Sequence, residues 1–343
     1  MLEIDSSRGE GGGQMVRTSI ALAALTGTET RLMRIRENRP TNGLSKQHCT
    51  AVSAVAEMTG SEVTGNYPGS RELIFKPGSV QKTRIEMDIG TAGSISLVLQ
   101  AVLLAARNTK EPLELDIRGG TNVMWAPPID SYQQILFPLM RRMGINASLE
   151  ILNRGFYPEG GGRVKVRLEP IGDIEPMEVF DIGEFRSVKG LCYIQNLPDW
   201  MAEQMISSCT AKLPRDYDAD IEIQRTEGSS KGAGISLVAK YDNSMLGSNV
   251  LTSRGHPAKQ AGEDVANDLL QEMRAGSTMD VHTADQLLPY MAMAKGRSGF
   301  VVSRISKHLL SQMDTLESFL DVRFGVVRKD DGYHFSVSPG GYN

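Results

Sequence analysis

Leu44-Ser45-Lys46-Gln47-His48 and Ile305-Ser306-Lys307-His308 open two segments with nearly the same letters, and each comes after a strand-like stretch that ends on an arginine, Arg36 and Arg304. Near-identity at such a separation marks an internal repeat, and reading outward by hydrophobic period gives its extent. The first unit has a glycine loop (9–13), a helix over about 14–26, a strand over 29–36, a helix over 45–58 and strands near 71–76 and 84–88. The second begins at Gly90-Thr91-Ala92-Gly93, with a helix over 94–107, a strand over 113–118, a helix over 131–143 and strands near 147–152 and 163–169. The third begins near Asp280, with a helix over 283–294, a strand over 299–305, a helix over 307–320 and strands near 322–328 and 333–338. The first helices are nearly all apolar, which implies burial against a sheet.

About one hundred residues of different texture interrupt the series. They read as strand 187–194, helix 198–212, strands 220–226, 234–241 and 246–252, and helix 257–273, bounded by turn-like Asp173-Ile174-Glu175-Pro176 and Arg274-Ala275-Gly276-Ser277. The expectation is an α/β (α+β) protein in two domains. A large domain spans 1–176 and 278–343 as three repeated two-helix, four-strand units (about 1–88, 89–176 and 278–343). A smaller α/β domain is inserted at 177–277.

A glycine loop occurs twice, as Gly9-Glu10-Gly11-Gly12-Gly13-Gln14 and as Tyr157-Pro158-Glu159-Gly160-Gly161-Gly162-Arg163. Consecutive glycines let backbone N–H groups approach an anion, and the first copy runs into a helix N-terminus, which favours phosphate. Either copy alone reads more simply as a surface turn. Net charge is −4, so the chain is no bulk polyanion coat, yet Arg31, Arg34, Arg36, Arg39 and Lys46 cluster with Glu37 as the one opposing charge. Such a patch can hold a few phosphates or form a solvated face. Hydrophobic content of 40% and the three cysteines (Cys49, Cys192, Cys209) predict a globular, cytoplasmic protein with reduced thiols; no disulfide frame, zinc ladder, signal peptide or spanning segment is read.

Of the five histidines, His308 and His48 stand at matching helix starts. The positive helix end favours the neutral imidazole, which suits attack on phosphorus, although a capping or packing histidine is the simpler account of either residue alone. His282-Thr283-Ala284-Asp285-Gln286 opens another helix, where Thr283 can cap and Asp285 complements the dipole. Glu10 is the acidic residue of the first glycine loop, either a solvated side chain or a Mg²⁺/Mn²⁺ ligand beside phosphate. Gln100, polar within an apolar helix, and Arg17, one turn into the first helix, can face one cleft.

The segment Arg154-Gly155-Phe156-Tyr157-Pro158-Glu159-Gly160-Gly161-Gly162-Arg163-Val164 resembles the signature of the RNA 3′-terminal phosphate cyclase family. Gly9–Gln14, Gly119-Gly120-Thr121-Asn122 with Ala126-Pro127-Pro128, and His308-Leu309-Leu310 match in the same order over essentially the whole chain. The resemblance implies a fold related to the enolpyruvyl transferases and an ATP-dependent, ligase-class conversion of RNA 3′-phosphate ends to 2′,3′-cyclic phosphates. It implies His308 as the nucleophile that takes AMP, and Gln100 with His282, Thr283, Ala284, Asp285 and Gln286 as the adenylate pocket. Arg17, Arg36, Arg39 and Gln47 would hold the RNA terminal phosphate, and Glu10 would hold Mg²⁺ or Mn²⁺. His282-Thr283 stands where other members vary. The competing reading is a cyclase-like, non-catalytic RNA-binding protein of ribosome biogenesis, which lacks the nucleophile; an enolpyruvyl-type transferase shares only the architecture. RNA 3′-phosphate ends and ATP are the expected partners, with monomer and homodimer both open.

Overall fold

The computed structural model describes residues 1–9 and 11–340. Three of its four sheets share one plan. In each, the first strand pairs in parallel with the second, the second is antiparallel to the last, and the last is antiparallel to the third. The first sheet takes Leu2–Asp5, Thr30–Met33, Leu73–Lys76 and Glu62–Thr64 in that spatial order; the second takes Arg84–Asp88, Leu113–Gly119, Gly162–Leu168 and Ala147–Asn153. The third takes Glu178–Val179, Ser298–Val302, Gly332–Pro339 and Val322–Lys329. Pairing therefore moves Arg84–Asp88 from the end of the first unit to the head of the second sheet, and Glu62–Thr64 takes its expected place. A parallel pair needs a crossover, and the glycine loop with its following helix supplies one in the first unit.

Helices Gly13–Thr26, Ile95–Ala105 and Val281–Ala292 bury most of their residues in one core. The second helices, Lys46–Thr59 and Lys307–Phe319, are amphipathic and pack on that core by one face. In the second unit the corresponding helix is irregular: Ile129–Ser131 leads into a π turn over Tyr132–Leu136 and then Phe137–Arg142. Pro138 has no N–H for the carbonyl four residues back, and the wider turn accommodates that gap. The expected strand over 29–36 stops at Met33, because Arg34 and Arg36 adopt left-handed φ of 53° and 54°.

The fourth sheet runs Asp220–Thr226, Phe185–Gln195, Gly232–Tyr241, Met245–Leu251, with helices Trp200–Lys212 and Ala258–Arg274 packed together beside it. It surrounds an apolar cluster of its own, which includes the buried thiols of Cys192 and Cys209. No helix among the described residues is long and apolar enough to cross a membrane.

Candidate active site

The N-termini of three helices converge on one cavity of about 670 Å³. Helix Gly13–Thr26 begins without a side-chain cap and without an acidic residue in its first turn, so its leading N–H groups remain available to an anion. Helix Lys307–Phe319 is capped by Ser306, whose Oγ accepts from Leu309 N at 2.8 Å and donates to Asp285 Oδ1 at 2.9 Å. Helix Val281–Ala292 is capped by Asp280, not by Thr283: Thr283 N and Oγ1 donate to the two Asp280 carboxylate oxygens at 2.9 and 2.7 Å. Asp280 also accepts from Gly247 N at 3.1 Å, which ties the strand Met245–Leu251 to the cavity wall.

His308 stands one residue into its helix. Gln14 Oε1 lies 2.8 Å from its Nδ1. An amide oxygen only accepts, so this contact places the ring proton on Nδ1 and leaves the lone pair on Nε2. Burial lowers the His308 pKa from its ordinary value, with the charges of Arg17 and Arg39 acting in the same direction and Asp285 opposing them. Asp285 is itself pushed up to about 6 by burial, against the Ser306 hydrogen bond and the two nearby histidines.

Arg17 is buried, and its Nε donates to Gln100 Oε1 at 3.1 Å. No carboxylate of a described residue forms an ion pair with it, and burial lowers its pKa to about 10, so it stays cationic at neutral pH. Arg36 donates to Gly43 O at 2.9 Å, and Arg39 lines the same wall. Gln47 accepts from Ser94 N at 2.7 Å and presents its remaining amide group to the cavity. Gln286 leaves a buried Oε1 without a hydrogen-bond partner, and His282 is exposed nearby.

The cavity thus brings together Arg17, Arg36, Arg39, Gln47, Gln100, His282, Thr283, Asp285, Gln286 and His308. Ala284 turns into the apolar core, and Glu10 lies outside the described residues. His48, at the matching helix start, is held differently from His308. It is buried, its Nδ1 accepts from Ser45 N at 3.0 Å, and burial with Arg17 and Arg36 lowers its pKa to about 3. The second glycine loop does not line the cavity; it packs on the fourth sheet, where a Cβ on Gly161 would lie 1.9 Å from Ser229 Oγ. Sequence reading missed Gln14, whose one signal was its place beside the glycine run, and Asp280, which reads as an ordinary cap. Among the described residues no three His, Cys, Asp or Glu side chains gather as a metal site.

The chain is similar to known proteins over nearly its whole length. A family model described as "RNA 3′-terminal phosphate cyclase" matches residues 8–326. Proteins of that name from Methanopyrus kandleri (40% identical, covering 96% of each chain) and Methanosarcina barkeri (39%, covering 98% of this chain and all of the relative) are similar over nearly their full length. A third, from Pyrobaculum aerophilum, is 38% identical over all of this chain and 99% of its own.

Proposed function

The chain belongs to the RNA 3′-terminal phosphate cyclase family, and from that premise we propose that it converts RNA 3′-phosphate ends to 2′,3′-cyclic phosphates with ATP, through a covalent histidine–AMP and an RNA–adenylate. The observation that carries the mechanism is the neutral His308 held by Gln14, its Nε2 lone pair in the same cavity as the buried Arg17, which forms no ion pair with a carboxylate of the described residues.

In the first step His308 Nε2 forms a bond to the α-phosphorus of ATP as the bond to pyrophosphate breaks. Gln14 accepts from Nδ1 and steadies the imidazolium that forms. An oxygen of the RNA 3′-phosphate then takes the adenylyl group from Nε2, and the histidine returns to its neutral form. Arg17, Arg36, Arg39 and Gln47 hold that phosphate in line, and their charges oppose the charge that develops on it. The 2′-hydroxyl finally attacks the activated phosphorus, loses its proton and expels AMP. Gln100, His282, Thr283, Asp285 and Gln286 would hold the adenylate; the orphan Gln286 Oε1 suits an exocyclic amine. With no acidic cluster among the described residues, a divalent cation would depend on Glu10 and on phosphate oxygens, and would offset triphosphate charge.

With Met177 and Val179 in the large core and Glu178–Val179 paired in the third sheet, the expected boundary at 177 shifts to after Val179; the division into a large domain (1–179 and 278–343) and an insert, supported by two separate apolar cores, belongs to the same reading. So does a cytoplasmic location. Retention of His308 and Arg17 in one cavity counts against the non-catalytic branch. Incubation with ATP and Mg²⁺ or Mn²⁺ should add one AMP to the wild-type mass through an acid-labile bond, and His308→Ala should gain none. Equal labelling of the variant would remove His308 from this role.

A further inference from the structure

Trp125 is 94% exposed, although it stands on a firmly held loop. Thr121 N and Asn122 N donate to Gly155 O at 2.8 and 3.2 Å, Ile129 N donates to Thr121 O at 2.9 Å, and Ser96 Oγ donates to Pro127 O at 2.6 Å. Its exposure is therefore not slack. The backbone at Trp125 is left-handed, with φ 66°, a conformation unfavourable for a bulky residue and found where surrounding structure imposes it for a purpose. None of the ring–ring or guanidinium–ring contacts of the described residues includes this indole. It nevertheless lines the cavity that holds His308 and Arg17.

An uncovered aromatic face at the mouth of a phosphate-binding cavity suits a nucleobase. The net charge of −4 leaves little general attraction for an RNA strand, so a contact to a base would add affinity that the local basic patch alone supplies only weakly. Stacking supplies it without sequence preference, because every base has a π face. We propose that Trp125 is the stacking platform for a base within the last two nucleotides of the RNA 3′ end; the assignment rests on the cyclase reading above.

The test compares wild type, Trp125→Ala and Trp125→Phe on RNA 3′-phosphates carrying an abasic site at the last or the last-but-one position. Trp125→Ala should lower kcat/KM for cyclisation by roughly 5- to 100-fold, the size of one lost stack. Trp125→Phe should keep most of the activity, and self-adenylation by ATP alone should be unchanged in both. Removing the stacked base should cost wild type a similar factor and Trp125→Ala nothing. Trp125 and Trp200 are the two tryptophans, so in a Trp200→Phe background the RNA should quench Trp125 fluorescence and its abasic counterpart should not. That arm reads stacking whether or not a cyclic end forms, so unaltered ends with wild type would count against the cyclase reading alone. Equal slowing of self-adenylation and cyclisation in Trp125→Ala would make the ring a platform for the adenine of ATP and overturn the proposal. So would equal quenching by the intact and both abasic RNAs.

Discussion

Arg17 is the residue whose surroundings make least sense without a ligand. A buried guanidinium normally has a carboxylate beside it, because desolvation of an unpaired charge is costly; here, among the described residues, it donates to the Gln100 amide. Stability and function should therefore separate at this position. Arg17→Met removes the buried charge and keeps much of the volume, so its Tm should equal or exceed that of wild type in thermal unfolding. Cyclisation should fall by roughly 10- to 100-fold, the cost of one charge-assisted contact at about 1.5–3 kcal/mol. A Tm well below wild type would mark Arg17 as structural. The same substitution predicts a pH effect. Wild-type His308 is held below its ordinary pKa, so self-adenylation should persist below the usual imidazole range and fail only at lower pH. Without the Arg17 charge the His308 pKa rises, and the acid limb of the pH–rate profile should move up. Gly13 is a second test at this scale, since a Cβ there would lie 1.9 Å from His48 Nε2, on a buried ring fixed by Ser45. Gly13→Ala should cost about 1–3 kcal/mol of stability by overpacking, read from denaturant unfolding.

Helix starts position the chemistry, and they account for what the sequence could and could not disclose. Ser306 and Asp280 hold the first turns of their helices, and Ser306 also reaches Asp285. The repeated Ser-Lys-(Gln)-His openings and the apolar first helices were legible because period and capping are local properties. Which strand opened each unit was not legible: Arg84–Asp88 looks alike in either sheet, and only long-range parallel pairing decides between them. The two histidines, alike in sequence, diverge for the same reason. His48 turns inward against Gly13, whereas His308 meets Gln14 from a distant unit. The cap network also carries a titration. Burial holds Asp285 near 6, so the folded chain binds this proton more tightly than the unfolded chain, and ionised Asp285 weakens folding above that pH. As pH falls through 6 towards the ordinary carboxylate value, that cost is relieved. Asp285→Asn keeps an acceptor for Ser306 and should raise Tm at pH 8, with the gain vanishing near pH 4. An equal gain at both values would mean that Asp285 is not titrating in this range.

At the scale of the molecule, the question is what fixes the fourth sheet against the three-unit body, since Gly247, Ser248 and Asn249 from one side and His308 from the other share the cavity. The joint is polar and buried. Arg154 and Asp130 are both almost fully buried and pair at 2.6 Å; Arg154 Nε donates to Gln224 Oε1 at 2.8 Å, and its guanidinium lies 4.4 Å from the Tyr193 ring centroid. Phe156 N donates to Ser230 Oγ at 2.9 Å, and Ser230 Oγ donates to Gly160 O at 3.0 Å, so the second glycine loop belongs to the same joint. The cyclase-like signature around Arg154 was thus read correctly as a family mark, yet its physical work lies in assembly and not in the cavity. Breaking one side of a buried pair leaves a desolvated charge, at a cost of about 3–5 kcal/mol. Asp130→Ala should lower the unfolding free energy by that amount. Arg154→Met/Asp130→Leu, which removes both charges, should recover much of it. Recovery of stability need not restore alignment, because the fork from Arg154 to Gln224 is lost with the charge. If the joint sets the position of the Gly247–Asn249 wall, the double variant should fold with near-native Tm and still bind ATP more weakly than wild type by calorimetry. Native ATP affinity in that stable variant would show that Asp280, through its hydrogen bond to Gly247, holds the wall without help from the joint.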